Sequence, residues 1–121
     1  MTSILVVETN TEVRRLFEAA LQGAGYRVHL AASAAEGYDV LRQSSVAMVI
    51  ADLNLPEGTG LEMVTVVRQQ FPGTKVLGMS TEASEYDVVE AAPLLNTVEI
   101  LPNPLGVGDL LGTVERLLDR P

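Results

Sequence analysis

The sequence predicts an α/β domain in which a parallel sheet of five strands is doubly wound with helices on both faces. Three observations carry that expectation. Ser3-Ile4-Leu5-Val6-Val7 and Val46-Ala47-Met48-Val49-Ile50-Ala51 are apolar on both alternations, as strands buried on both faces are. Segments with apolar residues three and four apart, the helical period, alternate with the strand-like runs. The connections are short and hold capping and turn residues, so right-handed crossovers should join successive parallel strands.

The elements follow in order. Strand one, Ser3 to Val7, ends at Glu8, and Thr9, Asn10 and Thr11 can each cap the helix that follows. Val13, Leu16, Phe17, Ala20 and Leu21 form that helix's apolar face, and Gly23 and Gly25 stop it. Arg27-Val28-His29-Leu30-Ala31 alternates as a short strand, and Ser33-Ala34-Ala35-Glu36 has the spacing of a capping box opening a second helix through Gln43. Strand three is the run that delivers Asp52, followed by a loop with Pro56, Gly58 and Gly60. Thr59-Gly60-Leu61-Glu62 repeats the capping-box spacing for a third helix ending before Pro72-Gly73. Lys75 to Ser80 is strand four. Ser84 caps a fourth helix that Pro93 interrupts, with Asn96 at its end. Val98-Glu99-Ile100-Leu101 is strand five, placed at a sheet edge because Pro102 lacks a ladder donor. The last helix carries Leu110, Leu111, Val114, Leu117 and Leu118, with Asp109, Glu115, Arg116 and Asp119 toward solvent.

Composition bounds the function. At 121 residues and 47% hydrophobic, the chain reads as one domain, 1–121, with a full core. Sixteen acidic against eight basic residues give a formal charge of −8, which opposes binding to nucleic acid or anionic membrane by this domain alone. The absence of cysteine removes disulfides and thiolate metal sites, and the start lacks a signal-peptide pattern, so a cytoplasmic setting is the default. Lys75 is the only lysine.

In an open α/β sheet, chemistry collects beyond the carboxyl ends of the strands. Those ends bring Glu8 and Thr9, Asp52 and Asn54, Ser80 and Thr81, and Asn103 and Pro104 to one cleft. Two carboxylates there suit Mg²⁺, an oxygen-seeking ion that keeps several waters. The lone His29 sits mid-strand with no partner pattern, and Phe17, Tyr26, Tyr38, Phe71 and Tyr86 read as packing.

With these residues in place, the chain resembles, over its whole length, the receiver domain of two-component response regulators. The resemblance rests on Ile4-Leu5-Val6-Val7 running into an acidic position, Asp52 with Pro56 four residues on and Gly60 four beyond, a hydroxyl residue ending strand four, and an X-Pro pair after strand five. It implies a flavodoxin-like (βα)5 fold with strand order 2-1-3-4-5 and a signalling rather than enzymatic role. It implies Asp52 as phosphoacceptor from a histidine kinase or phosphotransfer protein. It further implies Mg²⁺ held by Glu8, Asp52 and the Asn54 backbone carbonyl, and a phosphoryl contact from Ser80. The Asn103-Pro104 bond is a candidate cis peptide by the same resemblance.

The departures concern the same site. The family's acidic pair is reduced to Glu8-Thr9, its lysine is replaced by Asn103, and its aromatic switch residue by Ile100. Replacing an ammonium by a neutral amide removes a charge-assisted contact worth about 1.5–3 kcal/mol. Glu8 and Asp52 are left without a nearby cation, which should raise one apparent pKa. Weak Mg²⁺ binding and inefficient phosphorylation by small phosphodonors are the expectation.

Three functions follow. The first is a phosphorylation-controlled receiver acting on a partner or output domain through its fourth helix, fifth strand and fifth helix. The second is a phosphorylation-independent pseudo-receiver serving as a protein-interaction module. The third is a flavodoxin-like FMN binder, prompted by Thr9-Asn10-Thr11-Glu12 but lacking a glycine in that loop. Dimerisation through the fourth and fifth helices is a habit of the family. Ending at Arg120-Pro121 fits both a handover to an output domain and a stand-alone protein.

Overall fold

The computed structural model describes residues 1–53, 55–80, 99–102 and 107–119, with backbone alone for Ser80, 99–102 and 107–109. Five parallel strands, β1 (Ser3–Val7), β2 (Arg27–Ala31), β3 (Met48–Asp52), β4 (Lys75–Ser80) and β5 (Glu99–Pro102), lie in the order β2-β1-β3-β4-β5. The expected fold class and order are met, and β5 ends on Pro102 at the sheet edge, where a missing N–H leaves no gap in a ladder. The predicted fourth helix, with Ser84, Tyr86, Pro93 and Asn96, lies outside the described residues.

Alternation along the central strands builds two cores. Leu5, Val7, Val49, Ala51 and Val76 face α2 (Ala34–Gln43) and α3 (Thr59–Gln70), meeting Leu41, Met63, Val64 and Val67. Ile4, Val6, Met48, Ile50, Leu77 and Met79 face α1 (Thr11–Gly23) and the C-terminal helix (Val107–Leu118), meeting Phe17, Leu21, Leu110, Val114 and Leu117. Every residue of β3 is buried, which explains why its sequence shows no polar alternation. Burying each large aliphatic side chain contributes roughly 1.5–3 kcal/mol, so these two layers hold the sheet rigid beneath its loops.

Caps sit largely where the sequence puts them. Asn10, one of the three candidates, caps α1 by accepting from the amides of Glu12 and Val13, and Ser33 caps α2 by accepting from Glu36 N. After α1 the chain turns through Gly25 at φ 97°, a left-handed conformation that glycine adopts without steric cost. Two expectations are corrected. Leu16 is 47% exposed instead of facing the core, because the buried stripe of α1 centres on Phe17 and Leu21 and a helix turns about 100° from one residue to the next. Thr59 does not cap α3. A single 3-10 turn, Pro56–Gly58, precedes the helix, left-handed Gly58 occupies the cap position, and the Thr59 hydroxyl donates back to the Pro56 carbonyl at 2.8 Å. Among the described residues, no helix is long and apolar enough to cross a membrane.

Candidate functional site

The strand order reverses between β1 and β3: β2 extends the sheet on one side, and β3, β4 and β5 on the other. This switch point opens a crevice at the carboxyl ends of the two central strands. Register decides what lies in it. Val7 pairs with Ala51, so the next residues along, Glu8 and Asp52, come side by side. Asp52 in turn pairs with Met79, and Ser80 stands one residue further, opposite Pro102.

Both carboxylates are buried, Glu8 at 2% and Asp52 at 4% exposure. Glu8 Oε1 accepts the Asn10 N–H at 2.9 Å. Its second oxygen, Oε2, is buried and receives no hydrogen bond among the described residues. Burial, first, pushes the Glu8 carboxyl from the ordinary 4.5 up to about 7; the Asn10 amide opposes this, while the Asp52 charge and a carboxyl–carboxyl contact with Asp52 push the same way. Burial is thus the main cause, and the neighbouring Asp52 carboxylate adds to it, as a close second acid should.

The loops that carry them are tightly specified. The Leu53 amide donates to Met79 O at 2.7 Å, carrying the ladder one residue beyond Asp52. Gly60 begins α3 so close to β3 that a Cβ there would lie 2.2 Å from the Asp52 carbonyl oxygen, leaving room for glycine alone. Between them Glu57 takes φ 60°, ψ 26°, a left-handed conformation unusual for a side-chain-bearing residue. On the β1 side, Arg14 reaches back from α1. Its Nη1 donates to Glu8 O at 2.7 Å and Thr9 O at 3.4 Å, and its Nη2 to the Thr11 hydroxyl at 3.4 Å.

Of the residues singled out from the sequence, the fold brings Glu8 and Asp52 together and sets the backbone of Ser80 beside them. Thr9 is exposed on the loop. Asn54 and Asn103 lie outside the described residues, and Ile100 is seen as backbone paired with Gly78. Lys75 opens β4 at the opposite end of the sheet, where its Nζ donates to the Leu117 carbonyl, so it cannot reach the crevice. His29 pairs with Leu5 in the middle of β2, away from the site. Sequence reasoning missed Arg14 and the close approach at Gly60. An arginine early in the helix after an acidic strand end was an available signal for the first.

The donor set fits a hard divalent cation. A buried carboxylate oxygen with no donor among the described residues, next to a second buried carboxylate, is a position that a cation would satisfy. Among the described residues no group of three or more acidic or histidine side chains exists, so such an ion would rest on two carboxylates, with water and backbone oxygens completing its shell.

Comparison with known proteins places this geometry. The family model described as the response regulator receiver domain matches residues 4–115. The chain is 31% identical over 120 residues to the KDP operon transcriptional regulatory protein KdpE of Escherichia coli (strain K12); the match covers 99% of this chain but spans about half, 52%, of KdpE. A CheY-like response regulator receiver domain protein from Methanospirillum hungatei JF-1 is similar with a TM-score of 0.89 and 25% identity, covering 98% of this chain and 94% of that one. The Vibrio cholerae chemotaxis protein CheY4 has a TM-score of 0.85 and 30% identity, covering 97% and 98%.

Proposed function

The chain belongs to the response regulator receiver domain family, and from that premise we propose that Asp52 is its phosphoacceptor and that Glu8 and Asp52 together hold Mg²⁺. It is a receiver domain of two-component signalling. The family match leaves the FMN-binding alternative without support. The observation that supports Asp52 and Glu8 in these roles is the pair of buried carboxylates at adjoining strand ends, one of them with an oxygen that no donor among the described residues satisfies.

In this reading an Asp52 carboxylate oxygen attacks the phosphorus of a phosphohistidine on a kinase or phosphotransfer partner. The P–N bond breaks as the new P–O bond forms, giving an acyl phosphate, and the leaving imidazole takes up a proton. Bound Mg²⁺ supplies positive charge against the charge on the phosphoryl oxygens. Glu8 and Asp52 would hold it, with the Asn54 carbonyl as the third oxygen that the family resemblance implies. The Ser80 hydroxyl donates to the phosphoryl group, and Asn103 offers one neutral hydrogen bond where a lysine would bring charge. With Thr9 supplying no carboxylate and Asn103 no charge, transfer from small phosphodonors is slow and Mg²⁺ binding weak. The modified domain signals to a protein partner or output domain through the surface around β5 and the C-terminal helix.

The test is incubation with acetyl phosphate and Mg²⁺, followed by intact-mass measurement of wild type and Asp52→Asn. A base-labile phosphoryl adduct that forms on wild type and is absent from Asp52→Asn is expected. No adduct, together with amide NMR shifts from beryllofluoride that are absent or do not saturate, would instead identify a phosphorylation-independent interaction module.

A further inference from the structure

The Glu8 carboxylate is held by its own loop, and the loop is held by Arg14. A trans peptide unit is planar, with its C=O and N–H pointing in opposite directions. Two consecutive units are used this way. The Glu8 and Thr9 carbonyl oxygens both accept from Arg14 Nη1, at 2.7 and 3.4 Å. The N–H groups at the other ends of those two units belong to Thr9 and Asn10, and both stabilise the charged Glu8 carboxylate, Asn10 through its 2.9 Å bond to Oε1. One guanidinium therefore grips the oxygen ends of two consecutive peptides, and the N–H end of the second holds the carboxylate. The clamp is closed on the helix side as well, where Asn10 O accepts the Arg14 amide at 3.0 Å and the Thr11 hydroxyl accepts from Nη2.

We propose that Arg14 is the positioning residue of the site, fixing the two peptide units that aim the Glu8 carboxylate across the crevice toward Asp52. With Thr9 in place of a second acid, Glu8 is the one carboxylate this loop contributes, and its direction determines whether a cation can be shared with Asp52. Nη1 holds the two carbonyl oxygens while Nη2 holds the Thr11 hydroxyl, and the single nitrogen of a lysine cannot reproduce contacts spread over two nitrogens of a rigid plane. The inference rests on the reading of Glu8 and Asp52 as the Mg²⁺ ligands.

Arg14→Gln and Arg14→Lys test it in the full chain. Mg²⁺ affinity is measured by amide NMR titration, and exchange of the Asn10 amide is measured in metal-free protein. Loss of an outer partner of a ligand weakens metal binding by roughly tenfold or more, the result expected for Arg14→Gln, together with faster Asn10 exchange. Arg14→Lys keeps the charge and should restore neither value fully; if Arg14→Gln does not fold, Arg14→Lys carries the comparison. Unchanged Mg²⁺ affinity and unchanged Asn10 exchange, even with a lower melting temperature, would overturn the proposal and leave Arg14 a structural residue. Wild type that binds no Mg²⁺ would count against the proposed function, while Asn10 exchange would still decide what Arg14 does.

Discussion

The two ends of the sheet are built from the same strands and treat charge in opposite ways. At the amino end Lys75 and Thr74 are each matched to a backbone carbonyl. Lys75 Nζ meets the Leu117 carbonyl at the end of the C-terminal helix, where a cation also favours the helix dipole, and the Thr74 hydroxyl meets the Val46 carbonyl at 2.7 Å. At the carboxyl end two carboxylates are buried at adjoining strand ends, one oxygen has no donor among the described residues, and Glu57 is held left-handed in the loop that follows β3. The amino end is arranged for stability. The carboxyl end stores unfavourable electrostatics that a bound cation would relieve.

The strongest way to break this contrast is Gly60→Ala. Its Cβ would collide with the Asp52 backbone, where nothing flexible can move aside, and a loss of about 3 kcal/mol, the upper part of the range for overpacking, is expected in urea unfolding. An unchanged midpoint would mean that the β3–α3 loop is not rigid.

Glu8 comes next, and here the sign matters. Its folded-state pKa, about 7, lies above the ordinary 4.5, so between those values the folded protein binds more protons than the unfolded chain. The contribution to stability is full below about pH 4.5 and is lost as pH rises toward 7, with a slope of up to about 1.4 kcal/mol per pH unit. Denaturation of Glu8→Gln across this range should show that slope removed, with the variant more stable than wild type at pH 8. Equal slopes would show that Glu8 does not carry the strain.

Lys75→Met sharpens the contrast from the other end. Removing a charged donor from the Leu117 carbonyl should lower stability by about 1.5 kcal/mol while leaving Mg²⁺ titration at Glu8 and Asp52 unaltered. A change in Mg²⁺ affinity would couple the two ends. Glu57→Gly should act in the opposite direction and least, raising stability by about 1 kcal/mol because glycine accepts φ 60° without penalty. A destabilised Glu57→Gly in thermal melts would place a stabilising contact on that side chain.

Most of the fold was legible because its signals are local. The unbroken apolar run ending at Asp52 announced a strand covered on both faces, Asn10 and Ser33 announced helix starts, and Pro102 announced an edge. Locality also set the errors. Leu16 has helical spacing to the apolar face but stands outside the stripe that packs, and Thr59 has capping-box spacing but follows a 3-10 turn that places Gly58 at the cap. Neither error could be corrected without knowing what each helix packs against.

The site divides in the same manner. Sequence alone determined which groups stand at the strand ends: Glu8 with Thr9 after β1, Asp52 at the end of β3, and no lysine within reach. Tertiary structure decided that Glu8 and Asp52 share one crevice, that Oε2 has no donor among the described residues, and that Arg14 grips the loop. The physical reason is that strand and helix signals arise between near neighbours in the chain. The proximity of two charges depends on the register of β1 against β3, and their protonation depends on how much water the packed helices exclude.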